Sequence, residues 1–157
     1  MKRHGYRERD YAFAPEGRTL ASSGNDGTVR IWDGKLGMPL KTLPHPGPVF
    51  ALAWQPQGRL LASAGSDRLV TIWDMAARRP PRLLHGHPWF VFGIAWSPEG
   101  RVLASSGWDE TVRLLESLPL WGHPRSAWQG RARVVGEGRL LARDGRGASG
   151  LQRACSR

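Results

Sequence analysis

The chain has 157 residues, a formal net charge of +10 and an unusual share of turn and ring residues: 20 glycines, 12 prolines and eight tryptophans. This length suits one ordinary domain, and the single cysteine, Cys155, excludes an internal disulfide and the disulfide-stapled class of secreted proteins. Apolar stretches such as 85–98 are interrupted by Pro88 and Gly93 and are too short to span a bilayer. No signal-type apolar stretch follows Met1, so we expect no membrane association and a cytoplasmic protein.

A repeat with a period of 41 to 42 residues organises most of the chain. Segments 15–33, 56–74 and 98–116 align without gaps. Each starts with a proline, reaches Gly-Arg two residues later and continues into a Leu-Ala-Ser stretch; the first two end in Trp-Asp and the third in Leu115-Glu116. The period lies in the range of four-stranded propeller blades.

Taken in chain order, each unit predicts short strands separated by turns. In the first unit, Asn25-Asp26-Gly27 is typical of a hairpin turn, and residues 29–32 alternate as a half-buried strand does. A weaker strand is predicted at 40–43. The second unit predicts strands at 49–54, 60–62 and 82–84, and the third at 91–96.

Three histidines extend the repeat upstream of the aligned segments. His4, His45 and His87 each lie 18 residues before a serine of the Leu-Ala-Ser stretch and 11 residues before the turn proline. The alignment did not use this spacing, so it supports the repeat independently.

These units resemble the WD-repeat family. The resemblance rests on Trp32-Asp33, Trp73-Asp74, Gly86-His87 and the Ser-Pro-Glu-Gly-Arg turn at 97–101, and it covers residues 4–116. It implies an all-β fold, a partial β-propeller of four-stranded blades. We expect blades at 4–44 and 45–86, a degraded third blade at 87–122, and an Arg/Gly-rich, poorly ordered tail at 123–157.

Histidine, serine and aspartate recur in every unit and could be mistaken for catalytic triads. A triad is a single site beside an oxyanion hole, whereas this set occurs three times without a Gly-x-Ser-x-Gly elbow. The resemblance instead implies a buried hydrogen-bond network that includes the tryptophan of the third strand, for which Leu115 cannot substitute. The predicted network residues are His4, Ser22, Asp26, Trp32, His45, Ser63, Asp67, Trp73, His87, Ser105 and Asp109.

The sequence offers no constellation for chemistry or for a cofactor. His85 and His87 lie two residues apart, but no cysteine or acid cluster completes a metal site. We therefore expect no enzyme, no metal and no cofactor, and a scaffold that mediates protein–protein interaction.

Propellers of this family usually bind partners through one face, with the entry strand and the turn between the second and third strands. The resemblance assigns this role to Phe50, Phe90, Phe92 and Trp108; the corresponding first-unit positions include Arg9 and Asn25. Large aromatics dominate both cores and interfaces, so packing of Phe90 and Phe92 against a neighbouring blade stays an equal alternative. Trp108 replaces Asn25 and Ser66 of the other units, so packing does not require a ring there.

The repeat fails after residue 116. Residues 117–157 carry +6 of the net charge, and 136–142 only echo the second strand of a fourth unit. Non-specific nucleic-acid binding by this tail is one hypothesis; a frameshift or read-through product without function is the favoured one.

An open array of blades leaves bare faces. We therefore expect a truncated fragment of a larger propeller, or self-association through open blade edges. The rival hypothesis is a regulatory segment of a larger enzyme carrying a nucleotide-binding switch or a kinase.

Overall fold

The computed structural model describes residues 7–77 and 79–115 and the backbone of 116 and 133–137. These residues form twelve strands. No described helix is long and apolar enough to cross a membrane. The strands are β1 (Glu8–Phe13), β2 (Thr19–Gly24), β3 (Thr28–Asp33), β4 (Pro39–Pro44), β5 (Val49–Trp54), β6 (Leu60–Gly65), β7 (Val70–Asp74), β8 (Arg82–Leu84), β9 (Val91–Trp96), β10 (Val102–Gly107), β11 (Thr111–Glu116) and β12 (Arg133–Glu137).

Three antiparallel sheets follow one another along the chain, each of four strands in sequential order. We call them blade 1 (β1–β4), blade 2 (β5–β8) and blade 3 (β9–β12). The register repeats: Tyr11 opposes Ser22 in blade 1, and Leu52 opposes Ser63 in blade 2. The predicted all-β fold, a partial propeller of four-stranded blades, is confirmed.

Blade 3 differs from the expected boundaries in its fourth strand. β12 pairs with β11, with Arg133 opposite Leu114 and Glu137 opposite Thr111. From the sequence, residues 133–137 are expected in the tail and residues 136–142 are expected to be the trace of a fourth unit. A segment that pairs with an open strand edge satisfies its backbone hydrogen-bonding groups whatever its side chains are. Sequence similarity to β4 and β8 therefore could not predict β12. The remainder of the expected tail lies outside the described residues.

The core lies between neighbouring blades. Val29, Ile31 and Leu43 of blade 1 pack with Val49 and Leu52 of blade 2. A second cluster joins blade 2 to blade 3 in the same way, from residues at the corresponding positions: Ala62, Val70, Ile72, Leu84, Val91, Leu103 and Leu115. Each blade therefore buries its apolar residues mainly by stacking on the next.

The turn between the second and third strands has the same conformation in every blade. The residue after the turn aspartate has a positive φ: Gly27 at 70°, Arg68 at 68° and Glu110 at 57°. Glycine adopts this left-handed conformation freely, whereas a side chain makes it costly. The repeat geometry therefore imposes strain on Arg68 and Glu110 that blade 1 avoids.

Candidate partner-binding surface

Blade 2 contains a complete chain of buried hydrogen bonds. The Trp73 indole Nε1–H donates to Ser63 Oγ at 2.8 Å, and the Ser63 hydroxyl lies 2.8 Å from His45 Nε2. His45 Nδ1 lies 3.1 Å from Asp67 Oδ2. The carboxylate can only accept, so His45 Nδ1 carries a proton and donates it to Asp67. Each polar side chain in this series of hydrogen bonds therefore has a partner.

Blade 3 has a shorter version of this arrangement. His87 Nε2 lies 2.9 Å from Ser105 Oγ, and His87 Nδ1 lies 3.0 Å from Asp109 Oδ1. The position of the tryptophan is taken by Leu115, which is buried and has no donor. The serine therefore lacks the indole partner that Ser63 has.

In blade 1 the structure describes the tryptophan, serine and aspartate of the set. Trp32 Nε1 donates to Ser22 Oγ at 2.8 Å. Asp26 accepts from the Thr28 hydroxyl at 2.8 Å and forms an ion pair with Arg30 at 3.2 Å. His4 lies outside the described residues.

Hydrogen bonds hold the network aspartates of blades 2 and 3 as carboxylates. Burial alone raises the pKa of Asp67, but the hydrogen bonds from His45 and from the Leu69 N–H outweigh it, and the net shift is downward. Burial also opposes the shift at Asp109, where bonds from Thr111 and His87 lower the pKa. Hydrogen bonds to the charged form have this effect.

The geometry of these sets does not suit nucleophilic catalysis. Ser63 and Ser105 are fully buried, and so are the side chains of His45 and His87. A serine nucleophile must meet its substrate beside an oxyanion hole, whereas these two hydroxyls lie inside the sheet stack. Among the described residues, no three His, Cys, Asp or Glu side chains are grouped as metal ligands. In blades 2 and 3 the arrangement ties the loop before the blade to that blade's hairpin.

The aspartate of the Trp-Asp pair has a separate role in the turn after the third strand. Asp33 Oδ1 accepts the backbone N–H groups of Lys35 and Leu36, both at 2.8 Å. These bonds lower the Asp33 pKa. Asp74 Oδ1 accepts two N–H groups in the same way, and its other oxygen pairs with Arg59 at 2.9 Å. Both aspartates therefore close the loop to the outer strand.

The four predicted contact residues come together at one end of the blades. Phe50 and Phe92 stack with their ring centroids 5.1 Å apart and their planes 13° apart. Phe90 packs edge-on against Trp108 at 6.4 Å, and Phe92 lies 5.6 Å from Trp108. Arg9 completes the row, with its guanidinium carbon 5.4 Å from the Phe50 ring centroid. We call these five residues the aromatic surface.

The aromatic surface combines packing between blades with exposure. Phe90 and Phe92 contact Phe50 of the neighbouring blade, yet both stay exposed. Trp108 is 65% exposed. It sits on a turn fixed by its own backbone N–H, which donates to the Phe90 carbonyl at 2.8 Å.

The contact of Arg9 with Phe50 is not predicted from the sequence. Arg9, Phe50 and Phe92 occupy the same position of the repeat, and Arg9 Nε is fixed by Asn25 Oδ1 at 2.6 Å. Shared repeat position was therefore the available signal, because equivalent residues of neighbouring blades lie side by side.

Comparison with known proteins identifies the repeat. The family model described as "WD domain, G-beta repeat" matches residues 9–33, 37–74 and 78–115, more than half of the chain. The second match begins at Gly37, two residues before β4, and ends with β7. One sequence repeat therefore joins the outer strand of one blade to three strands of the next. No curated protein sequence matches the chain.

Solved structures share the fold. One described as "Crystal structure of RRP9 WD40 repeats" is 22% identical with a TM-score of 0.70, covering 74% of this chain and 37% of that one. A second, "Structure of U3-55K", is also 22% identical with a TM-score of 0.70, covering 74% of this chain and 38% of that one. This chain therefore spans less than two fifths of either structure.

Proposed function

The chain belongs to the WD-repeat family, and from this we propose that it is a non-catalytic scaffold that binds a protein partner through the aromatic surface. The observation that carries the proposal is the exposure of Trp108 within a row of contiguous rings. Exposed apolar clusters of this kind are typical of interaction sites. Tryptophan, tyrosine and arginine are also the side chains that most often dominate binding energy.

The chemistry of the aromatic surface favours an apolar anchor from the partner. Ring faces and edges from two blades surround one area, so an aliphatic or aromatic side chain gains contact with several rings at once. The rings are already packed against each other. Pre-ordered rings lower the entropy cost of binding.

The absence of catalysis is part of the same proposal. The hydroxyls and imidazoles that could act as nucleophile and base are buried and engaged in blades 2 and 3. Their repetition once per blade supports a structural role, because an active site is a single constellation.

The test uses peptides selected on the immobilised full chain from a displayed random-peptide library. Affinities of the selected peptides are measured in solution for the wild type, Trp108→Ala and Trp89→Ala. Trp89 is a matched control because it is 61% exposed and makes no ring contact with the aromatic surface. We expect Trp108→Ala to weaken binding about tenfold or more, as loss of a binding hot spot does, and Trp89→Ala to change it little.

Two results would contradict the proposal. Equal losses of peptide affinity in both variants would show that the tryptophans bind peptides through nonspecific apolar contacts. Loss of the β-sheet circular dichroism signal in Trp108→Ala would instead assign Trp108 to packing.

A further inference from the structure

Blade 1 has an open face whose counterparts are covered in the other blades. Tyr11 and Phe13, on β1, are 75% and 57% exposed. By register, Phe13 opposes Leu20 as Trp54 opposes Leu61. Leu52, the counterpart of Tyr11, is buried against blade 1, and Trp54 is packed there beside it. The open face of blade 1 is therefore built like a blade-docking face.

Blade 3 has an open face of the complementary kind. Val112 opposes Ser106 as Val29 opposes Ser23 and Val70 opposes Ala64. The exposed fractions of Val29 and Val70 are 0% and 2%, because the next blade covers them, whereas Val112 is 39% exposed. No described strand packs over Val112 from outside blade 3.

The interior of the molecule shows how two such faces join. Val29 of blade 1 shares a core cluster with Leu52 and Trp54 of blade 2. Polar contacts add to this: Trp54 Nε1 donates to the Ala12 carbonyl at 3.0 Å.

The junction of blades 2 and 3 repeats this arrangement. Val70 shares its cluster with Ile94 and Trp96. Trp96 Nε1 donates to the Ala53 carbonyl at 3.2 Å. The open faces of blades 1 and 3 are the two halves of this repeated interface.

We propose that the open face of blade 3 docks onto the open face of blade 1 in a second copy of this chain, head to tail. A second copy is the expected partner because this chain carries both complementary halves of the interface that joins its own blades. Heterologous contacts close into a ring when the rotation permits. Two copies of three blades give six, within the four to eight blades of closed propellers.

The interface between copies lacks one hydrogen bond that the internal interfaces have. Phe13 stands where Trp54 and Trp96 stand in the other blades, and its ring has no N–H. On blade 3 of the other copy, the corresponding acceptor is the backbone carbonyl of Ala95. Ala95 occupies the same repeat position as Ala12 and Ala53, and it is exposed. Phe13→Trp should therefore strengthen the association.

The first experiment is sedimentation equilibrium of the full chain over a range of concentrations. We expect reversible association to the mass of two chains, tightened about fivefold or more in Phe13→Trp by the added hydrogen bond. A mass of one chain throughout, unchanged in Phe13→Trp, would overturn the proposal and leave these faces to blades of a different protein.

The second experiment tests the head-to-tail arrangement with Phe13→Glu and Val112→Glu. Each variant alone should lose association, because every interface then contains one charged face. An equimolar mixture should form dimers, because the intact blade 3 of the first variant meets the intact blade 1 of the second. Association of Val112→Glu at the wild-type strength would overturn the arrangement.

Leu83→Glu is the matched control. Leu83 is an exposed apolar residue of β8 in blade 2, the blade that carries neither open face. We expect wild-type association in this variant and wild-type circular dichroism in all of them. The result is independent of the aromatic surface, since Trp108→Ala should associate like the wild type.

Discussion

His45 Nδ1 lies 3.1 Å from Asp67 Oδ2, although the two residues are 22 positions apart and both side chains are buried. The histidine precedes β5, and the aspartate occupies the turn between β6 and β7. Their contact therefore fixes a loop that joins two blades to the hairpin of the second one.

We expect His45→Ala to lower the free energy of unfolding by about 2–3 kcal/mol, because the Asp67 carboxylate loses a buried donor and Ser63 loses a hydrogen-bond partner. Urea denaturation followed by circular dichroism measures the change. The control is His85→Ala, since His85 is exposed and surface substitutions usually stay within about 0.5 kcal/mol. Equal midpoints for both variants would show that the network adds nothing to stability.

Acid should destabilise the fold through the aspartates. The pKa values of Asp33, Asp67, Asp74 and Asp109 are lower in the folded chain than their ordinary values. Their stabilising effect is complete above the unfolded pKa of about 3.9 and is lost as the pH falls through the folded values. Unfolding midpoints in urea should therefore fall steeply below about pH 4.

Asp67→Asn isolates the contribution of one carboxylate. This variant should be less stable at neutral pH and should show a shallower loss of stability on acidification, because one lowered pKa is gone. The same acid slope in the variant and the wild type would contradict a role for Asp67.

Glycine at the strained turn positions should stabilise the protein. Arg68 and Glu110 adopt the conformation that glycine has at position 27. We expect Arg68→Gly and Glu110→Gly each to add about 0.5–1 kcal/mol, because relief of strain exceeds the extra entropy of an unfolded glycine. Arg68→Ala is the control: it removes the side chain but keeps the Cβ, so it should bring no gain. Thermal unfolding measures both.

The indole bonds between blades should contribute to stability as well. Trp54→Phe removes the donor to the Ala12 carbonyl, and we expect a loss of about 1 kcal/mol or somewhat more. Trp96→Phe should behave alike at the next interface. Trp89→Phe, at an exposed residue, should be neutral; an equal loss there would mean that ring size rather than the interface bond matters.

The sequence by itself determined much of what repeats from blade to blade. Strand alternation has a period of two and tight turns need particular residues, so residues 49–54 and 91–96 were predicted with the bounds that the structure has. The spacing of His45, Ser63 and Asp67 was equally readable, because it recurs in every unit.

Only the tertiary structure decided what depends on how blades stack. The row formed by Arg9, Phe50 and Phe92 exists because equivalent inner-strand positions of neighbouring blades lie side by side. Whether a residue such as Phe13 is covered depends on a neighbouring blade, and no local pattern encodes that neighbour. The pairing of β12 with β11 could not be predicted from the sequence either, because backbone hydrogen bonds to an open strand edge require no particular side chains.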